Sequence, residues 1–337
     1  MKINMRTTAA VVAALTLAVS AVSAASAEGF SVAGDIRSGI EFGFGDDAKV
    51  VSTSDYHDGN YYGNGNTRLR LNFKYENGDA GAVFRYEHKA GKAWFDEGNA
   101  KYAMGYAKLF DGILVAEAGK LKDLYTGSDG QEGYGLTDIA SAGAYGAGFT
   151  LLPVDGLAVQ AIVSDGLGKG FEARKDNFTF GAKYANDVIK VAGGYNLSGK
   201  AYGYVGIGAV ENLGVDLEVY YEQLEDKDDI VEINEDINYD LNDSLSFGLL
   251  AYQKFGEEEK PVFEFNPHVM FGIDDTFAVS AESYITVPTA EDSKVAFSVT
   301  PALWINVKKA KINVYYTYDN DGENSANYVG TGVKVSF

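Results

Sequence analysis

Charged side chains are the main candidates for functional chemistry in this sequence, because it contains no cysteine and only three histidines. Thiolate metal sites, disulfides and an N-terminal lipid anchor are therefore excluded, and no metal or cofactor is expected. His268 is predicted to face inward beside Glu264, with Ser280 or Ser283 on a neighbouring strand. A serine next to a base could support nucleophilic catalysis, so an enzyme stays an alternative. A hydrogen bond in the wall of a sheet explains the histidine–glutamate pair more simply.

The charges are unevenly distributed along the chain. The early bases are Arg37, Arg68, Arg70, Lys74 and Arg85. A long, glycine-rich segment, Lys122–Ile139, contains the acids Asp123, Asp129, Glu132 and Asp138. The formal net charge is -20, which disfavours nucleic acid as a partner and suits a pathway that prefers cations.

The elements that position these charges are predicted to be strands. In Thr67–Lys89 apolar and polar residues alternate on both sides of Asn77-Gly78, which is the strongest short signal for a β-hairpin. Similar hairpins recur to the end of the chain and give 18 strands, or 16 if one doubtful hairpin is merged. High glycine (40) and tyrosine (23) contents fit many short strands, and a mean hydropathy of -0.14 fits strands that are apolar on one face only.

Short turns alternate with longer polar connections such as Gly45–Asn66 and Lys122–Ile139. This alternation is typical of barrels in bacterial outer membranes, and an even strand count places both termini on the short-turn side. The sequence therefore predicts one all-β domain, a transmembrane antiparallel up-and-down β-barrel over residues 28–337. A soluble β-sandwich is disfavoured, because an interior with so many charges must be wet.

The cost of charge in lipid sets the predicted orientation of the strands. An arginine on the lipid face near the bilayer midplane costs roughly 2–4 kcal/mol, so Arg68 and Arg70 should point inward and Leu69 and Leu71 outward. One residue breaks this pattern, because Glu235 shares the apolar face of its strand. A bulge, or a position above the bilayer, would resolve the conflict.

The N-terminus has the pattern of an export signal. Lys2 and Arg6 precede a mostly apolar run, Thr7–Val22, and Ala25-Ser26-Ala27 forms an A-x-A cleavage site. We expect residues 1–27 to be removed as a signal peptide; a membrane anchor is the alternative.

The last strand ends the chain on an aromatic residue. Val329, Thr331, Val333, Val335 and Phe337 fall on one face at period two. A final strand either leaves an open edge or pairs with the first strand, and pairing would close the barrel.

With these features in hand, the chain resembles the outer-membrane porins, and spirochaete porin-type barrels in particular, in Thr67–Tyr75, Gly105–Gly119 and Gly133-Tyr134-Gly135. The resemblance implies that Lys122–Ile139 folds into the lumen and narrows it, so that its acids face the early bases across the opening. The alternative is that this loop folds outward and the arginines pair with Glu41, Glu76 and Glu87 along the wall.

The resemblance also implies that the outer-membrane assembly machinery recognises the last strand through Val333, Val335 and Phe337, although an aromatic residue is more usual at the position of Val335. Porins are often trimers, so a homotrimer stays open. We expect an outer-membrane channel for passive diffusion of small hydrophilic solutes, with a mild cation preference. An adhesive surface protein, binding through Gly45–Asn66, is the other alternative.

Overall fold

A computed structural model of the chain describes residues 29–44, 50–51, 68–89, 99–140, 144–164, 175–225, 227–256, 261–289 and 293–337. The predicted signal peptide lies outside these residues, as does most of Gly45–Asn66, on which an adhesive function would depend. Within the described part, no helix is long and apolar enough to cross a bilayer.

The described residues form nineteen strands, a four-residue helix and a 3-10 turn. In chain order the strands are β1 (Phe30–Phe44), β2 (Val50–Val51), β3 (Arg68–Asn77), β4 (Ala80–Lys89), β5 (Ala100–Leu109), β6 (Leu114–Lys120), β7 (Tyr145–Val154), β8 (Leu157–Ser164), β9 (Phe178–Ala185), β10 (Ile189–Asn196), β11 (Lys200–Val210), β12 (Leu213–Glu222), β13 (Ile230–Asn242), β14 (Leu245–Phe255), β15 (Val262–Gly272), β16 (Phe277–Pro288), β17 (Ala296–Val307), β18 (Ala310–Asn320) and β19 (Ser325–Ser336). Helix α1 is Leu136–Ile139, and the 3-10 turn is Lys175–Asn177.

Every strand is antiparallel to its neighbours, and the sheet is closed. The first strand pairs on one side with β3 and on the other with β19, which closes the wall of described strands. The backbone N–H and C=O of Phe337 both bond to Gly34 at 3.0 Å, which extends the seam to the last residue. The prediction of eighteen wall strands and a closing last strand is confirmed for the described part of the chain; β2 is a short addition beside β1.

Directly paired residues share a face, so the register separates inside from outside. Phe149, Val159 and Val314 project outward with 53%, 44% and 44% of their surface exposed. Thr150 and Gln160 point inward and are buried. A polar inside and an apolar outside are the arrangement that the alternating sequence predicts.

One predicted boundary is wrong by several residues. The alternation of apolar and polar residues predicts a strand over Ala140–Leu152, but β7 begins at Tyr145 and ends at Val154. Residues Leu136–Ile139 form α1, and Ala140 is its C-cap. The cause is local, because Asp123 accepts hydrogen bonds from the backbone N–H groups at the start of this helix.

Glu235 does point outward. It pairs with Leu217 on β12 and Ala251 on β14, both on the outer face. The register of β13 shifts only between Asp240 and Asn242, too far away to reorient it. The suggestion that a bulge turns Glu235 inward is therefore wrong.

Candidate functional site

The connection between β6 and β7, residues 121–144, is called the inner loop here, and residues 121–140 and 144 of it are described. It starts where the N–H of Leu121 bonds to the C=O of Ala144 at 2.9 Å. From there it contacts inward-facing side chains of successive strands from β8 to β13. The inner loop therefore lies inside the barrel, against one side of its wall, and the alternative of an outward loop does not fit these contacts.

A carboxylate organises the stem of the inner loop. Asp123 accepts hydrogen bonds from the N–H groups of Leu136 and Thr137, each at 3.0 Å, and from the Thr137 hydroxyl. Gly135 is required beside it, because a Cβ there would lie 2.4 Å from Asp123 Oδ2. Burial raises the pKa of Asp123, while the hydrogen bonds from Thr137 and Leu136 act in the opposite direction.

Behind the stem, a buried polar chain joins the inner loop to β6 and β8. The Thr126 hydroxyl donates to Gln160 Oε1 at 2.5 Å, and Gln160 Nε2 donates to Glu117 Oε2 at 2.7 Å. The Tyr202 hydroxyl on β11 donates to the C=O of Thr126 at 2.7 Å. These bonds satisfy polar groups that lie between the loop and the wall.

Leu136 supplies the apolar anchor of the stem. It is fully buried in a cluster with Met104, Val115 and Ile162. A Cβ at Gly194 would lie 2.3 Å from Leu136 Cδ2, so the wall has a depression that accepts this side chain.

The middle of the inner loop is fixed by ion pairs. Asp129 Oδ1 lies 2.7 Å from Lys183 Nζ on β9, and Asp129 Oδ2 lies 3.1 Å from Lys190 Nζ on β10. Lys183 also donates to the C=O of Gly127 at 2.9 Å. Burial acts to raise the pKa of Asp129, but the two lysines hold it below its ordinary value.

The tip of the inner loop surrounds Glu218 on β12. Its carboxylate accepts hydrogen bonds from the N–H groups of Glu132 (2.8 Å), Gly133 (3.1 Å) and Tyr134 (3.2 Å), and from the Ser128 hydroxyl. Consecutive N–H groups that converge on one anion form a backbone nest.

Tyr134 carries the tip one strand further along the wall. Its hydroxyl donates to Glu232 on β13 at 3.0 Å. Its ring centre lies 5.4 Å from that of Tyr220 on β12, so the two aromatic rings are in contact.

The early bases lie elsewhere, on β1, β3 and β4. Asp35 accepts from Arg68 at 3.0 Å and from Arg37 at 3.1 Å, and Glu87 lies 2.7 Å from Arg70. These ion pairs run along the wall, as the alternative interpretation expected. Glu87 is one of the acidic partners that it named, whereas Asp35 was not predicted from the sequence. Lys74 pairs with Glu76 at 2.8 Å.

Arg85 connects the basic wall to the root of the inner loop. It donates to Asn72 at 2.6 Å, and its guanidinium lies 5.0 Å from the centre of the Tyr102 ring. Lys122 Nζ lies 5.0 Å from the same ring. Two cations thus share one aromatic ring where the loop leaves the wall.

The structure does not pair the loop acids with the early arginines. Asp129 binds lysines of β9 and β10, Asp123 caps α1, and Asp138 accepts from the N–H of Gly135 at 2.8 Å. Among the charged side chains that point inward from β12–β16, acids outnumber bases. These acids are Asp216, Glu218, Glu222, Glu232, Asp236, Asp240, Glu264 and Glu282. The acidic pole of the lumen is therefore this wall.

Lys183, Lys190 and Glu218 lie on the inner face of the wall, as the alternation of apolar and polar residues predicts, but alternation does not indicate their roles. Those roles depend on which strand the loop reaches, and a single sequence carries no signal for that. The glycines of the loop were a usable hint, because a glycine-rich turn allows backbone N–H groups to approach an anion.

The candidate catalytic residues have other partners than the sequence predicts. His268 pairs directly with Glu282, not Glu264. Ser280 accepts a hydrogen bond from Trp304 Nε1 at 2.8 Å, and Ser283 donates to the C=O of Ser298 at 2.8 Å. Within the described residues, no group of three or more His, Cys, Asp or Glu side chains could hold a metal ion.

Comparison with known proteins gives a likeness in structure only. No protein-family model matches the chain, and no curated protein is similar in sequence. OccAB4 of Acinetobacter baumannii superposes with a TM-score of 0.55 at 10% identity, covering 91% of this chain and 98% of that chain. The outer membrane channel DcaP of the same organism gives 0.54 at 12% identity, covering 91% and 97%.

OmpT, an outer membrane protein of Vibrio cholerae, gives a TM-score of 0.51 at 14% identity, covering 91% of this chain and 97% of that chain. At such identities the likeness concerns the fold alone. That fold is a porin-like transmembrane β-barrel of the kind found in bacterial outer membranes.

Proposed function

We propose that this protein is an outer-membrane porin through which small hydrophilic solutes and ions diffuse passively. The observation that carries the proposal is a closed barrel with a polar interior and a long loop bound inside it. A loop in this position narrows the lumen, and a narrowed polar lumen suits a size-selective pore. Export with removal of residues 1–27 is part of the proposal.

The narrowest part of the path is proposed to lie between the inner loop and the basic wall. Bases lie on β1, β3 and β4, whereas acids dominate β12–β16 around the lumen. Opposite charges across an opening create a transverse field that orients dipolar solutes. The residues proposed to line this region are Arg37, Arg68, Arg70, Lys74, Arg85, Asp123, Asp129, Glu132 and Asp138.

A mild cation preference is supported by the partners of the lumen acids. The Tyr204 hydroxyl donates to Asp216 at 2.6 Å, and the Tyr315 hydroxyl donates to Glu41 at 3.0 Å. A hydroxyl stabilises a carboxylate without cancelling its charge. By contrast, Arg68 and Arg70 stand beside Asp35 and Glu87, so much of their positive charge is compensated.

The transport step in this proposal needs no enzyme activity, cofactor or energy input. The partners are the bilayer, the transported solutes and the outer-membrane assembly machinery, which would recognise Val333, Val335 and Phe337. A Vibrio cholerae OmpT structure is described as a trimer form, and a homotrimer is a reasonable state to test for this chain.

The decisive experiment is conductance in a planar bilayer with purified, refolded protein. Stepwise conductance, together with swelling of protein-containing liposomes in sugar solutions, is expected. A reversal potential of cationic sign under a salt gradient would support the preference. If the folded protein raised neither conductance nor swelling, the pore function would be wrong; an anionic reversal potential would reject only the preference.

A further inference from the structure

We infer that Glu218 determines the width of the pore by holding the tip of the inner loop, and that it contributes little to charge selectivity. This inference rests on the proposed channel function. By charge alone, Glu218 would count as one of the inward acids of β12–β16 that attract cations. The residue would be a positioning residue, acting on solutes through the loop.

The first support is the burial of the Glu218 carboxylate. Only 1% of the residue is exposed, so passing ions cannot contact it as they would a pore-lining acid. The N–H groups of Glu132, Gly133 and Tyr134 and the Ser128 hydroxyl surround it. Hydrogen bonds to a charged acceptor are roughly twice as strong as neutral ones, so these four form a strong tether.

The second support is the shape of the loop around this carboxylate. A Cβ at Gly130 would lie 2.4 Å from Glu218 Cδ and 2.6 Å from its Oε2. Gly133 has a φ of +67°, a conformation that L side chains rarely adopt. Two glycines thus allow the backbone to close around Glu218, which indicates a binding arrangement specific to this side chain.

The third support is that the tip can move while the stem stays in place. Leu136 and the Thr126–Gln160 hydrogen bond attach the stem to the wall, and Asp123 ties the two ends of the stem to each other. Glu218 lies beyond these anchors, on β12. The Tyr134 hydroxyl still bonds to Glu232 on β13 when Glu218 is changed. Loss of the four hydrogen bonds to Glu218 should therefore loosen the tip between Ser128 and Tyr134 and leave the root of the loop in place.

The test compares two changes that break the tether in different ways. Glu218→Gln removes the charge and brings an NH₂ group against N–H donors, while Gly130→Ala keeps every charge and pushes the loop away sterically. Because the loop lies against the wall, a tip released from it moves into the lumen. Both variants should therefore lower single-channel conductance, by at least roughly 1.5-fold, and slow the entry of larger sugars in liposome swelling. Reversal potential should change little in either variant.

Matched controls separate width from charge. Glu264→Gln removes another inward acid, on β15, and should shift the reversal potential with little change in conductance. Gly214→Ala adds a methyl group on β12, the strand of Glu218, where no atom lies within 4 Å of the new Cβ, and should behave as wild type. Heat-modifiable gel mobility verifies that each barrel is folded.

A cross-link provides a second, independent variant. The chain has no cysteine, so Ser128→Cys with Glu218→Cys introduces the only thiols. A short bifunctional thiol reagent should return the conductance of this double variant to the wild-type value, whereas the uncharged link cannot restore a lost charge.

Three results would overturn the inference while leaving the channel intact. These are unchanged conductance in both folded tether variants, a Glu218→Gln phenotype limited to reversal potential, and failure of the cross-link to restore the wild-type conductance. Absence of conductance in the wild-type protein would instead refute the channel function itself.

Discussion

Carboxylates serve different purposes on the two sides of the lumen. Under the inner loop, Asp123 and Glu218 bind backbone N–H groups and hydroxyls, and they fix the path of a chain segment. On the basic wall, Asp35 and Glu87 bind arginines and hold charged groups side by side. An inward acid is therefore not by itself a pore charge, and its partners decide whether it shapes the channel or sets the field within it.

The largest expected effect is on the basic wall, with Arg68→Ala and Arg70→Ala combined. Asp35 and Glu87 are buried, with 8% and 5% exposure, and would lose their main partners. Breaking a buried pair costs about 3–5 kcal/mol, and the reversal potential should become more cationic because two positive charges leave the lumen. Denaturant titration measures the loss of stability, and the reversal potential under a salt gradient measures the change in selectivity.

Lys74→Ala is the matched control, since the Lys74 side chain is 56% exposed and its ion pair with Glu76 should contribute little to stability. An unchanged reversal potential in the arginine variant would place both arginines away from the narrow region. Unchanged stability would mean that water reaches Asp35 and Glu87 freely.

Under the inner loop, the next effect should come from packing. Leu136→Ala empties the depression beside Gly194 and should cost about 2–3 kcal/mol of local loop stability. We expect noisier open-channel current and faster cleavage of the loop by protease, with global barrel unfolding nearly unchanged. Cleavage at the wild-type rate would show that Leu136 does not anchor the stem. Leu303→Ala, on the outer face of β17, is the control.

A hydrogen-bond variant tests the same region at a smaller scale. Asp123→Ala removes the acceptor of two N–H groups at the start of α1 and should destabilise the loop by about 2 kcal/mol. Asp123→Asn keeps one acceptor and should lose less. Amide hydrogen exchange at Leu136 and Thr137 distinguishes the two, and equal exchange in both variants would contradict this account.

The fold could be predicted because the alternation of residue types within each strand identifies its lipid-facing side and its lumen-facing side. In β3, Leu69 and Leu71 alternate with Arg68 and Arg70, and lipid on one side forces the choice of orientation. The seam at Phe337 followed from closure. The contacts of the inner loop could not be predicted, because the pairing of Glu218 with Glu132–Tyr134 joins distant positions through a path that alternation does not encode.

Glu235 gives a modest effect on the outer face, where neither kind of partner is available. It stands in an apolar row between Leu217 and Ala251. A carboxylate facing lipid costs less than an arginine, so Glu235→Leu should stabilise the barrel by about 1 kcal/mol. Denaturant titration in lipid vesicles measures this, with Gln253→Leu as the control. A loss of stability would indicate that Glu235 contacts another protein chain.

The smallest effect is expected at Asp321, an exposed carboxylate that, like Asp123, accepts hydrogen bonds from backbone N–H groups. Hydrogen bonds from the N–H groups of Asn324 and Glu323 hold the pKa of Asp321 below its ordinary value of 3.8. Because the pKa of Asp321 is lowered in the folded protein, the ionised carboxylate stabilises the β18–β19 turn at pH values above 3.8. This stabilisation is lost as the pH falls through the lowered pKa. The protection of the Asn324 amide, which is its exchange rate compared with the intrinsic rate at each pH from 5 to below 3, should therefore fall only at the acid end. In Asp321→Asn, which does not titrate, this acid-specific loss of protection should disappear; if it persisted, the turn would be responding to another group.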